Sequence, residues 1–144
     1  MKALALHQPY AGFVAACKKP LETRWWKSDY RGDVLICSTK GDSHSYEDDV
    51  ASAYAYGMFL PTDDVEKLLV PRGVMLCVAT IVGCKLCDEN DALHALAPVV
   101  FLADDGTVIR KCGFELDNIR LVKQKSVKCG RKWFTISDEE IEFV

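Results

Sequence analysis

Residues 4–40 read LALHQPYAGFVAACKKPLETRWWKSDYRGDVLICSTK, and the order of elements in this stretch decides the fold. Residues 2–6 (KALAL) have strand character, and His7-Gln8-Pro9 interrupts them. Pro9 suits the first turn of a helix, where its missing N–H costs nothing. Tyr10, Phe13, Val14 and Cys17 then recur at i, i+3, i+4 and i+7, the spacing of an amphipathic helix. Lys18-Lys19-Pro20 ends that helix, because the residue before a proline avoids the α region. Residues 21–27 (LETRWWK) are β-prone, with a threonine and two tryptophans. A period of two puts Glu22, Arg24 and Trp26 on one face and Leu21, Thr23 and Trp25 on the other. By that parity Trp25 is expected in the core and Trp26 at a cleft. Residues 28–33 (SDYRGD) carry turn chemistry, and 34–39 (VLICST) form an apolar run of strand length. The two runs together predict a hairpin or a strand-loop-strand unit.

Further along the chain, residues 40–45 read as a polar loop, with Ser45 as a helix cap over a stripe of Val50, Ala53, Tyr54 and Gly57. Thr62 begins a second helix backed by Val65, Leu68 and Leu69, and Pro71-Arg72-Gly73 stops it. Residues 73–86 are apolar and β-branched and predict a long central strand, bulged at Gly83. Residues 88–98 predict a loop and a short helix. Asp104-Asp105-Gly106 between apolar runs signals a hairpin. Residues 114–122 alternate as a strand, and 132–136 as a closing strand. The sum is an α+β domain over residues 1–144, with about six strands in a small barrel or curled sheet and two to three helices on its flank.

The balance of 18 basic and 21 acidic residues gives a net charge of −3, so any nucleic acid must be met by a local patch rather than by the whole surface. Seven cysteines, an odd number, follow an N-terminus without a signal peptide; reduced thiols and a cytoplasmic location are expected. No apolar run approaches the ~20 residues of a membrane span. Cys84-x-x-Cys87, with Cys112 and Cys129 downstream, invites a zinc reading. The second pair is not a close-spaced knuckle, so these thiols read as small buried hydrophobes, and neither metal nor cofactor is expected.

The stretch quoted first resembles the opening of ASCH (activating signal cointegrator homology) domains. The resemblance rests on Gln8-Pro9-Tyr10, then Lys18, Lys19, Glu22, Arg24 and Trp26 at fixed spacing, then Tyr30-Arg31-Gly32 before a strand. The later CGFELDNIRLV and GRKWFTI are similar to the family's last two strands, while 41–72 and 88–110 match poorly and are expected to be insertions. The resemblance implies a PUA-like β-barrel with a cleft between barrel and helices, and RNA or a nucleoside-type small molecule as ligand. Similar proteins include an amidohydrolase acting on N4-acetylcytidine and a reported ribonuclease. The amidohydrolases carry threonine where this chain has Glu22, and the family usually has glycine where this chain has Cys17.

Residue chemistry gives the site its expected roles. Arg24 offers a planar fork for phosphate or a base edge. Lys19 supplies a charge for phosphate, or a general base if burial lowers its pKa. Glu22 accepts from amines or ribose hydroxyls, and Lys19 with Glu22 would form the acid/base pair if the protein is a hydrolase. Trp26, Tyr10 and Tyr30 are candidate stacking rings. Gln8 and Ser38 end strands beside the same region, and Lys27, Arg31 and Lys40 would form a rim. His7 reads equally as a cleft residue or as a partly buried structural histidine. The basic run of Lys123, Lys125, Lys128, Arg131 and Lys132 is either a solvated loop or a phosphate-contacting edge. Three readings compete: a binding module for RNA or a modified nucleoside, a hydrolase on the same cleft, and a protein-interaction domain whose charged side chains point apart.

Overall fold

The computed structural model describes residues 1–41 and 45–144, so part of the polar loop read at 40–45 lies outside the described residues. The elements in chain order are β1 (Lys2–Leu6), α1 (Tyr10–Ala15), β2 (Leu21–Arg24), β3 (Gly32–Ser38), α2 (Tyr46–Gly57), α3 (Asp63–Leu69), β4 (Met75–Leu86), α4 (Ala92–Ala95), β5 (Val100–Leu102), β6 (Val108–Arg110), β7 (Cys112–Leu121) and β8 (Phe134–Thr135). Six strands make one curled half-barrel sheet in the order β2-β7-β4-β3-β1-β8. β5 and β6 stand apart as a hairpin closed through Ala103 to Thr107, as Asp104-Asp105-Gly106 predicts. The class is α+β, as expected. The described residues hold four α-helices: the two to three expected on the flank are joined by α4, the short helix expected within 88–98.

β1 and β3 pair in parallel, with Ala3 opposite Leu35 and Leu6 opposite Ser38. A parallel pair needs a long crossover, and residues 7–31 supply it with α1 and β2. β2 does not form a hairpin with β3. It leaves for the far edge of the sheet, where Leu21 lies opposite Glu115 and Arg24 opposite Cys112 on antiparallel β7. β4 and β7 shift register between Ile81 and Gly83, at the expected bulge, and again between Val78 and Thr80. Such bulges bend a strand and raise its twist, which curls the sheet.

The central strands are buried on both faces, which is why their sequences are almost continuously apolar. Leu4, Leu6, Val34 and Ile36 pack toward α1, with Ala11, Val14 and Ile81. Ala3, Leu35, Cys37 and Val78 pack on the other side against Val122, Val127, Phe134 and Ile136. Phe13 joins α1 to the helical layer of Ala53, Val65, Leu69 and Leu96. Gly12 is where α1 crosses α3, and a Cβ there would lie 2.8 Å from Leu69 Cα. Thr62 caps α3 by accepting from Val65 N at 3.4 Å, as expected. Ser45 makes no such bond to backbone; its hydroxyl donates to the Asp49 carboxylate at 3.3 Å.

α1 ends on Cys17 in the left-handed conformation, φ 61°. Cys17 N donates to Val14 O at 3.0 Å, and Lys18 N to Phe13 O at 2.9 Å, the closing bonds of a helix C-terminus. A side chain in that conformation costs roughly 1–2 kcal/mol and glycine does not. Cys17→Gly is therefore expected to raise stability by about 0.5–1 kcal/mol after glycine's larger unfolded-state entropy is deducted. The readout is a higher urea midpoint at unchanged m. A lower midpoint would show that the thiol contributes packing worth more than the strain.

Candidate functional site

The turn after α1 delivers Lys19 into the interior, where it is 2% exposed. Its ammonium has three N–H directions to satisfy. It donates to Leu21 O at 2.9 Å and to Ala95 O, and lies 3.6 Å from Glu22 Oε1. The Tyr10 ring centroid stands 5.4 Å away. Burial lowers the Lys19 pKa against the opposing pull of Glu22. Lys19 is thus spent on holding the α1–β2 junction, α4 and Glu22 together.

Glu22 and Arg24 share a face of β2, as the period of two requires. Glu22 is 7% exposed; its Oε1 accepts from Thr23 N at 3.0 Å, and its Oε2 accepts from Arg24 Nε at 3.2 Å and meets Nη2 at 3.0 Å. Arg24 Nη2 also donates to Ala5 O at 3.0 Å, tying β2 to β1 across the mouth of the sheet. Among the described residues Arg24 Nη1 donates to no protein group, so one arm of the guanidinium is unspent. This pair forms a wall of an open cleft of about 370 Å³ lined by Ala5, His7, Glu22, Arg24, Trp25, Trp26 and Lys111, among others.

The two tryptophans are placed opposite to the parity expectation. β2 stops at Arg24, and the chain bends at Trp25 and Trp26, so the period of two does not continue through them. Trp26 is half-buried against the core, 5.3 Å from Phe114 and 5.7 Å from Trp133 between ring centroids. Trp25 is 59% exposed and leans on Phe101 of β5 at 5.6 Å, with Lys111 Nζ 5.1 Å from its ring. Both line the cleft, so Trp26 keeps its expected contact while Trp25 is the open platform.

The other expected site residues are scattered. Gln8 is fully buried: its Nε2 donates to Leu68 O at 2.9 Å and Pro71 O at 3.0 Å, and its Oε1 accepts from Gly12 N at 2.8 Å. Gln8 therefore fastens α1 to α3 and does not face the cleft. Ser38 is likewise fully buried, with Val74 N donating to its hydroxyl oxygen at 3.3 Å. Tyr10 packs on the core, and burial with Asp49 pushes its pKa up to about 12. The Tyr30 hydroxyl donates to Asp33 O at 2.7 Å while its ring meets Trp133. Arg31 folds back on Ser28 O and Tyr30 O. Lys27 and Lys40 are exposed. Cleft-lining His7 receives or gives one hydrogen bond with the Thr39 hydroxyl at 2.8 Å. Lys111 was missed: it lies next to a hairpin signal, and nothing local points it back to β2.

In the basic run, Lys123 and Lys125 pair with Glu142 at 3.2 and 2.7 Å, so that part is a tied-down loop. All seven cysteines are free thiols. Cys87 packs with Leu21, Ala95 and Val99, and Cys129 with the Cys37 cluster on another side of the sheet. Among the described residues no three His, Cys, Asp or Glu side chains are grouped to hold a metal ion, and no helix is long and apolar enough to cross a membrane.

The charged, tryptophan-lined cleft thus lies where the ends of β1 and β2 approach across the mouth of a curled half-barrel sheet. The ASCH domain family model matches residues 4–128, and the chain belongs to this family. Two solved structures are similar in fold. One is the crystal structure of ASCH from Zymomonas mobilis, with TM-score 0.57 and 13% identity over 96% of this chain and 89% of that one. The other is a serine-to-alanine mutant of the same bacterial protein, with TM-score 0.55 and the same identity and coverage. No curated protein matches the chain by sequence.

Proposed function

We propose that residues 1–144 act as one ASCH domain that binds RNA or a modified nucleoside in the Glu22–Arg24 cleft. The observation that carries this reading is the arrangement of that pair. Glu22 is held by Thr23 N, Lys19 and Arg24, and so it fixes the Arg24 guanidinium in the cleft wall. The unspent arm of Arg24 suits a phosphate or the edge of a base. Trp25 beside it supplies a face for stacking, and Lys111 and His7 add charge and a hydrogen-bonding ring at the rim. Preorganised, partly desolvated groups of this kind bind without the entropic cost of ordering long side chains.

Arg24→Ala is expected to weaken binding of a short RNA or nucleoside about 10- to 100-fold, the range for one charge-assisted hydrogen-bonding group. Arg24→Lys should recover only part of the loss, because an ammonium cannot reproduce the fork. Titration calorimetry with circular dichroism on the same samples checks both. Undiminished binding by a folded Arg24→Ala variant would remove the cleft from consideration. Chromatography of the ligand after incubation separates binding from hydrolysis.

A further inference from the structure

We propose that the domain holds a single strand of nucleic acid along a track of aromatic rings and lysines that leaves the cleft on both flanks, rather than a lone nucleoside. The proposal rests on the cleft reading above and extends it beyond the cleft walls.

On one flank stand Trp25 and Phe101, with Lys111 Nζ 5.1 and 5.9 Å from their ring centroids. On the other stand Trp26, Trp133 and Tyr30, each ring within 5.7 Å of the next. Lys132 Nζ lies 5.5 Å from Trp26, and Lys2 Nζ lies 5.2 Å from Tyr30 and 5.4 Å from Trp133. The rings come from three distant parts of the chain: residues 25–30 between β2 and β3, the β5 hairpin and the turn before β8. Their convergence at one mouth is a product of the fold.

Charge complementarity selects the occupant. Lys2, Lys111 and Lys132 form no ion pair with a carboxylate among the described residues, in a chain whose net charge is −3. The ammonium groups at the rings are therefore free to meet an anion. Each ammonium lies over a ring, so a base that takes the ring face displaces it onto the adjoining phosphate. Most of Trp25 faces solvent, so a base can cover it at little cost in rearrangement. Beyond the cleft the track offers rings and ammonium groups rather than a set of base-edge hydrogen-bonding groups, so it would tolerate many sequences. Its rings need unstacked bases, which a duplex does not present.

The test titrates octauridylate, uridine and an RNA duplex of equal length, read by tryptophan fluorescence and anisotropy across a salt series. Octauridylate is expected to bind at least about tenfold tighter than uridine and than the duplex. Trp25→Ala should lose about tenfold or more of the octauridylate affinity. Lys2→Ala combined with Lys132→Ala should lower the slope of log affinity against log salt by about 1.4, or about 0.7 per phosphate contact on a single strand. Uridine binding as tightly as octauridylate, duplex competing equally, or an unchanged salt slope in the double variant would overturn the track. Uridine binding that depends on Arg24 would then leave the cleft reading standing. No binding of any of the three probes would overturn the track and remove RNA from the cleft reading, and salt-insensitive capture of an apolar peptide would make the rings a protein-docking surface instead.

Discussion

Glu22→Ala is expected to cost about 3–5 kcal/mol of stability, the usual penalty for removing one partner of a buried ion pair. The substitution deletes more than a contact. It leaves the Lys19 ammonium 2% exposed with only two carbonyls, and it frees Arg24 from the carboxylate that aims it. For a chain of this length the loss corresponds to a melting temperature lower by roughly 10–15 °C. The mechanism predicts a rescue. Lys19→Met added to Glu22→Ala removes the stranded charge, and much of the loss should return, since replacing both partners by apolar groups is often close to neutral. It also predicts a direction with pH. The folded-state pKa of Lys19 lies below its unfolded value, so between the two the unfolded chain binds more protons and stability rises with pH. That rise should be steeper in Glu22→Ala, where the carboxylate that holds the proton on Lys19 is gone. A single variant costing under about 1 kcal/mol, or a double variant as unstable as the sum of the two singles, would contradict the buried-pair account.

Gly12→Ala is expected to destabilise the domain by about 3 kcal/mol or more, against the direction that helix propensity alone predicts. In an unobstructed helix the change would help by roughly 1 kcal/mol. Here a Cβ would sit 2.7 Å from the Leu68 carbonyl carbon and 2.8 Å from Leu69 Cα, both backbone atoms of α3. Neither can swing aside as a side chain tip would, so α1 must lift from α3. Lifting it also strains the bonds that Gln8 Nε2 donates to Leu68 O and Pro71 O. Thermal or urea unfolding reads the sign directly. A neutral or stabilised variant would show that the helices slide apart at small cost.

The chain displays its local chemistry openly and hides its distant partners. The bulge at Gly83, the hairpin at Asp104-Asp105-Gly106 and the Thr62 cap are written within a few residues, and the structure has all three. The shared face of Glu22 and Arg24 follows from strand parity alone. Parity failed at Trp25 because the strand itself ends one residue earlier, and a periodic argument does not contain its own stopping point. Gln8 and Ser38 read as ligand contacts because polar residues beside a predicted cleft look available. Their partners, Leu68, Pro71 and Val74, lie more than thirty residues away and are invisible to a local reading. Lys111 and Phe101 escaped for the same reason. They reach the site through the pairing of β2 with β7 and through the separate hairpin, which no neighbouring residue announces.

The pairing of β2 with β7 also sets an order of assembly. The motif residues of the cleft are made before residues 112–115, and β2 has no strand to lie against until those have emerged. Lys19 has no Ala95 carbonyl, and Trp25 no Phe101, until the middle of the chain is out. Contacts of such long sequence separation form slowly, because loop closure must be met before they contribute. A nascent chain therefore carries Lys19, Glu22, Arg24 and Trp25 before their partners exist, and the cleft is completed only with the late strands.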